Sequence, residues 1–195
     1  MKRLRSFLNG LQSTDTLLKR VREAKNIEAL QALETLKERV AHKDGTMQAI
    51  DLSGAKLTKA TLAMADLEAI DLSNATIQHG YFQEANLQNA NFSGAQMTYA
   101  YFRGADLQST DFTGANLVNA NFARANLQGA SLRNANVNEC NFWRTDLRGA
   151  DLTDASLIDA VISDDVICDE ATILPDGESW SEGVDWTRFT GRGND

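Results

Sequence analysis

Two histidines, two cysteines and 27 acidic side chains are the groups in this 195-residue chain that could carry acid–base, nucleophilic or metal chemistry. Such chemistry needs partners at defined spacing, because a base without an orienting group or a ligand without companions does little. His42 and His79 stand at no recognisable ligand or triad spacing from a cysteine or serine. The carboxylates fall in pairs only where a repeat puts them, and no glycine-rich phosphate loop follows a strand. Cys140 occupies a slot usually held by alanine, which favours a buried free thiol over a disulfide with Cys168. Neither catalysis, nor a cofactor, nor a metal site is therefore expected.

The elements that hold these groups follow an unusual beat. Every fifth residue between 52 and 162 is apolar, 23 positions without a break, in a chain that is 43% apolar overall. Two residues earlier stands a small side chain: alanine fills 17 of those 23 slots, with Ile50, Ile70, Gly80, Thr110, Cys140 and Thr145 as exceptions. A helix would scatter a five-residue period around its surface, and a strand would reverse face at each step. Inward spacings that alternate two and three do fit: a short extended piece, then a corner. The chain winds into an all-β solenoid with polygonal coils.

Identity recurs at twenty residues. Phe82, Phe102, Phe122 and Phe142 form one series, Phe92 and Phe112 another, and Leu67, Leu87, Leu107, Leu127 and Leu147 a third. Four sides per coil would stack like on like, giving a rod about 28 Å long at one strand spacing per coil. The runs ANLQNANFSGA, ADLQSTDFTGANLVNANFARANLQGA and TDLRGADLTDASL resemble the A(D/N)LXX theme of the pentapeptide repeat proteins. The resemblance implies a right-handed quadrilateral β-helix. The segment ATILPDGESW followed by DWTRFT is similar to endings of cyanobacterial members. Family membership alone does not choose a function, since the members with a defined activity are DNA mimics that protect gyrase.

Three segments are expected: a helical cap over 1–46, the repeat over 47–165 and a capping tail over 166–195. In the first, Ile27, Leu30, Leu33, Leu36 and Val40 follow helical steps, with Asn26 as N-cap, Glu28 in the first turn and Gly45 as the stop after His42 and Lys43. A preceding helix carries Leu17, Leu18 and Val21, begun at Ser13 or Thr14. The first coil would otherwise expose leucines and unpaired edges, so capping is the preferred role. The other is docking of Lys2, Arg3, Arg5, Lys19, Arg20, Arg22 and Lys25 on a membrane surface or acidic partner. In the tail, Pro175, Asp176 and Gly177 make a turn, and Trp180, Trp186 and Phe189 lie back on the last coil or bind a partner.

Net charge is −8, distributed as +4 over 1–46, −5 over 47–162 and −7 over 163–195. An acidic rod repels phosphate, which argues against nucleic-acid binding. Asn9 and Gly10 cut short the apolar run after Lys2, Arg3 and Arg5 before a signal-peptide core forms, and no run has transmembrane length, so a cytoplasmic location is expected.

With the interior given over to packing, function belongs outside. The residue before each apolar centre faces out. One side presents Asp51, Asp71, Asp111 and Asp151, and its neighbour Asp66, Asp106 and Asp146; aspartate there also serves turn hydrogen bonding. Outside the Phe stack stand Tyr81, Tyr101, Arg103, Arg124, Trp143 and Arg144, with Tyr99 at the preceding corner. Tyrosine, tryptophan and arginine are enriched where proteins bind one another. This side is the expected partner surface, unless the tail covers Trp143. The chain then reads as a noncatalytic, rigid protein-interaction module, monomeric or weakly dimeric. The competing reading is a DNA mimic binding gyrase or topoisomerase through the acidic edge.

Overall fold

Alternation of alanine, apolar centre and a two-residue corner builds the coil seen in the structure, a computed structural model describing residues 13–41 and 47–191, with side chains of 36–41 excepted. Residues twenty apart pair in parallel: Asp51 with Asp71, Lys56 with Thr76, Thr61 with Tyr81 and Asp66 with Asn86 open four ladders that run along four sides. Within a ladder Leu52 N donates to Asp71 O at 2.7 Å and Asp71 N to Ile50 O at 2.9 Å. Each side pairs over too few residues for a conventional strand, and stability comes from stacking coil on coil.

The corners from Gly54 to Asp159 close the same way. The residue after it donates back to the preceding centre, as Ala55 N to Leu52 O at 3.1 Å, and the second corner residue has a positive φ of 52–69° throughout the series from Ala49 to Asp159. One positive φ before the closing residue is the type II signature. Seventeen non-glycine residues of the series adopt that conformation, among them His79, Tyr99, Arg124 and Arg144. The preceding corner N–H is served by the outward Asx side chain in many pentads, as Ser53 N to Asp51 Oδ1 at 2.9 Å and Thr113 N to Asp111 Oδ1 at 2.8 Å.

The interior is continuous. Phe82, Phe102, Phe122 and Phe142 stack at 5.0, 5.0 and 5.4 Å between centroids, Phe92 stacks on Phe112 at 5.2 Å, and the two series meet edge to face. Each buried ring contributes on the order of 1.5–3 kcal/mol through area alone. Slots that depart from alanine have a use. Thr110, Thr145 and Cys140 donate inward to the carbonyls of Leu87, Phe122 and Leu117 at 2.9, 2.9 and 3.0 Å, and Thr172 does the same to Leu147 at 2.9 Å.

Two helices precede the coil. α1, Thr14–Glu23, starts at Ser13, whose hydroxyl accepts from Thr16 N, and carries Asp15 early and Arg20 and Arg22 late, matching the helix dipole. α2 spans Asn26–Ala41. Leu17, Val21, Ala29, Ala32 and Leu33 join the same apolar core as the first coil. Two details differ from the sequence expectation. Ile27 is 71% exposed, because the alanines at 29 and 32 let α2 approach the coil along a different stripe. Asn26 donates its amide to Thr58 O at 3.3 Å, while Ala29 N bonds to Lys25 O, so the helix boundary falls at Lys25. The side chains of Leu36 and Val40, and His42, Lys43, Gly45, Lys2, Arg3 and Arg5, lie outside the described residues.

Beyond Ile162 the ladders continue with slips. Asp146 pairs with Ile167 and Asp151 with Ile173, offsets of 21 and 22 residues in place of 20. The turn at Pro175–Gly177 folds Ser179 back antiparallel to Ile173. A short helix, α3 (Thr187–Thr190), ends at Gly191 with φ 68°, and Trp186 and Phe189 pack on the core end.

Candidate protein-interaction surface

The Phe side displays two clusters, built by different parts of the pentad. Tyr81 and Tyr101 precede Phe82 and Phe102, point outward, and stack at 5.1 Å with planes 4° apart. At the corner before them, His79 and Tyr99 stack at 5.0 Å and 6°. Tyr81, Tyr99 and Tyr101 remain 39%, 47% and 37% exposed. Four rings thus form two parallel ladders across two adjacent coils. Sequence reasoning had not included His79 in this surface, although its offset of twenty from Tyr99 was a sufficient signal.

These rings occupy positions that coil geometry would assign to other residues. Asn121 and Asn141, next in the same ladder, hold Ala123 N and Trp143 N at 3.0 and 2.9 Å. Tyrosine at 81 and 101 supplies no such bond. Tyr99 adopts φ 59°, a left-handed conformation that costs a non-glycine residue about 1–2 kcal/mol. Local structure is therefore better served by asparagine at all three sites.

The second cluster lies toward the C-terminal end. Trp143 sits between guanidinium groups, Arg124 at 5.0 Å and Arg144 at 4.7 Å from its ring. Arg144 also reaches Asp165 at 3.3 Å. Each contact is worth about 0.5–1 kcal/mol at such a site. Trp143, Arg124 and Arg144 are thus brought together but already engaged with one another, whereas Arg103 is exposed and without an ion pair among the described residues.

The acidic edge is also occupied. Arg22 pairs with Asp51 at 2.6 Å, Arg148 with Asp146 at 2.6 Å and Arg133 with Asp151 at 2.8 Å. Gln48 and Asn86 donate to Asp66, and Gln88 and Gln108 to Asp106. The Ser53 backbone N–H, helped by Arg22, holds the Asp51 carboxyl below the usual range. Burial pushes Asp146 and Asp151 up, but hydrogen bonds from Arg148 and Gln128 to the first, and from Thr153 and Arg133 to the second, outweigh it and lower both. Asp71 and Asp111 accept the Ser73 and Thr113 N–H groups.

Chemistry elsewhere is muted. Burial pushes the Cys140 thiol up to about 12, which keeps it protonated. Among the described residues no group of three or more His, Cys, Asp or Glu is placed to hold a metal, and no helix is long and apolar enough to cross a membrane.

Comparison with known proteins matches the sequence to one family. The model for pentapeptide repeats matches in eight copies over residues 50–88, 80–114, 100–138 and 125–164. No curated protein matches the chain in sequence. Among solved structures, a pentapeptide repeat protein from the Arabidopsis thaliana thylakoid lumen is 26% identical, with 62% of this chain and 70% of that one covered and a TM-score of 0.41. Rfr23 from the cyanobacterium Cyanothece is 21% identical over 70% of this chain and 99% of its own, at a TM-score of 0.34. QnrB1, a plasmid-mediated fluoroquinolone resistance protein, is 19% identical over 61% and 74%, at 0.40.

Proposed function

Because the chain belongs to the pentapeptide repeat family and spends its repeat on building the rod, we propose that it acts through the rod's exterior, as a noncatalytic, rigid protein-interaction module. The observation that carries this reading is the pair of exposed ladders, Tyr81 on Tyr101 and His79 on Tyr99, set where the fold itself favours other residues. Rigid aromatic rings give large contact area at low entropic cost, and they meet a partner without rearrangement. Arg103 stands at the next corner and adds a charge to the contact. Arg124, Trp143 and Arg144 border it.

The helices and tail are caps in this reading. Supporting it are the shared core of α1, α2 and the first coil, the Arg22–Asp51 pair, and Trp186 and Phe189 packed on the other end. A cytoplasmic location belongs to the same reading, supported by two free thiols. The DNA-mimic alternative asks the Asp edge to meet a basic enzyme groove. Three of its carboxylates, Asp51, Asp146 and Asp151, already face arginine, which weakens that role.

Each ring can be exchanged for the asparagine that the same ladder carries in a later coil: Tyr81→Asn and Tyr101→Asn as at Asn121, and Tyr99→Asn as at Asn119. The triple variant should melt no lower than the parent while losing the partner recovered by crosslinking in native lysate. Unchanged recovery counts decisively against the surface. Inhibition of DNA gyrase supercoiling by micromolar protein, abolished by Asp71→Asn with Asp111→Asn, would instead establish the mimic.

A further inference from the structure

The tail folded over the last coil encloses a cleft of about 490 Å³, a size that accommodates small organic ligands. Its walls bring together Trp180 and Trp186, the carboxylates Asp164 and Glu182, and Ser163 and Cys168, with two valines. No lysine, arginine or histidine is among its lining residues. Asp164 and Glu182 are exposed residues of this lining, and neither has an ion pair among the described residues.

The Trp186 indole and the Trp180 backbone are held in place. Trp186 packs edge to face on Phe189 at 6.2 Å and rests on the core, and the Trp180 backbone N–H donates to Thr172 O at 2.8 Å. Burial, then Asp169, pushes the Cys168 thiol up to about 12, so the cleft offers a neutral thiol. We propose that this cleft binds an organic ammonium group, a quaternary or methylated ammonium above all. Aromatic faces attract such cations, the carboxylates add long-range attraction, and the methyl groups suit the apolar walls. A bare metal ion is a poorer occupant, since hard cations want six or more oxygen ligands and indole supplies none. The proposal is independent of the tyrosine surface.

Choline and its uncharged isostere 3,3-dimethylbutan-1-ol separate charge from shape. Each is titrated into the full chain carrying Trp143→Phe, which leaves Trp180 and Trp186 as the fluorophores, with calorimetry on the parent chain as a second readout. Choline should give a saturable change in indole emission, and the isostere should bind at least about tenfold more weakly. Asp164→Asn with Glu182→Gln should weaken choline about tenfold while leaving the melting midpoint unchanged. Equal binding of both compounds, no saturation by choline at tens of millimolar, or undiminished choline binding by the double variant would each overturn the proposal.

Discussion

Gly80 shows how finely a single slot is specified. Alanine fills most equivalent slots, yet a Cβ here would lie 2.7 Å from Ile77 Cγ2 and 2.8 Å from Phe82 Cε2. Ile77 is β-branched and Phe82 starts a stack, so neither yields cheaply. Gly80→Ala should destabilise the fold by about 1–3 kcal/mol in denaturant unfolding, as overpacking does. A loss below about 0.5 kcal/mol would mean that the core side chains shift freely. The neighbouring exceptions tell the opposite story, since Thr110, Thr145 and Cys140 gain an inward hydrogen bond that alanine lacks. Because burial raises its pKa, the Cys140 thiol stabilises the fold fully below the unfolded thiol pKa and loses that contribution as pH rises above about 9. A thiol reagent at neutral pH should leave Cys140 unmodified in the native chain and modify it at once in denaturant. Rapid native labelling at this site would contradict the packing.

Corners, stacks and helices differ in how openly the sequence displays them. A five-residue beat with a twenty-residue echo was enough to place four sides, the Phe stacks and the outward tyrosines, because the chain has only one way to bury every fifth residue. The left-handed corners were hidden: glycine marks six of them, and side chains as unlike as Met64, Glu139 and Arg144 mark others. Tertiary stacking imposes that backbone against local preference, so local propensity could not reveal it. Glu139→Gly should therefore relieve strain and stabilise the chain by about 0.5–1 kcal/mol, measured by chemical denaturation. A destabilisation of that size would show that the corner costs nothing to a side chain. The stripe of α2 was misread at Ile27 because alanine, small enough to let the helix approach, carries little hydrophobic signal. Partners of the acidic edge were equally hidden. Gln88 to Asp106 and Arg133 to Asp151 span eighteen residues, a separation that brings side chains together only when four sides are closed.

At the scale of the whole molecule, charge is arranged so that paired carboxylates run from one end to the other. Asp51 joins α1 to the first coil, Asp146 and Asp151 lie on late coils, Asp169 ties the tail to the coil at Gly149, and Asp185 caps the start of α3 within the tail. All five are held below the ordinary carboxylate range. For Asp169 the main cause is the Gly149 backbone N–H, and for Asp185 the Thr187 hydroxyl. A lowered folded-state pKa means that the unfolded chain takes up protons first, so these groups stabilise fully above the unfolded value of about 4 and lose that contribution as pH falls through the folded one. A second effect runs the other way: the net charge of −8 relaxes as pH approaches the sequence pI of 4.8, which eases self-repulsion. The melting midpoint should therefore stay level, or rise slightly, from about pH 7 to 5 and drop steeply below about pH 4. Replacing Arg133 and Arg148 by alanine should flatten that drop, because part of the lowering of Asp146 and Asp151 goes with them. A midpoint unchanged between about pH 5 and 3 would show that the paired carboxylates contribute nothing to holding the coils and the tail together.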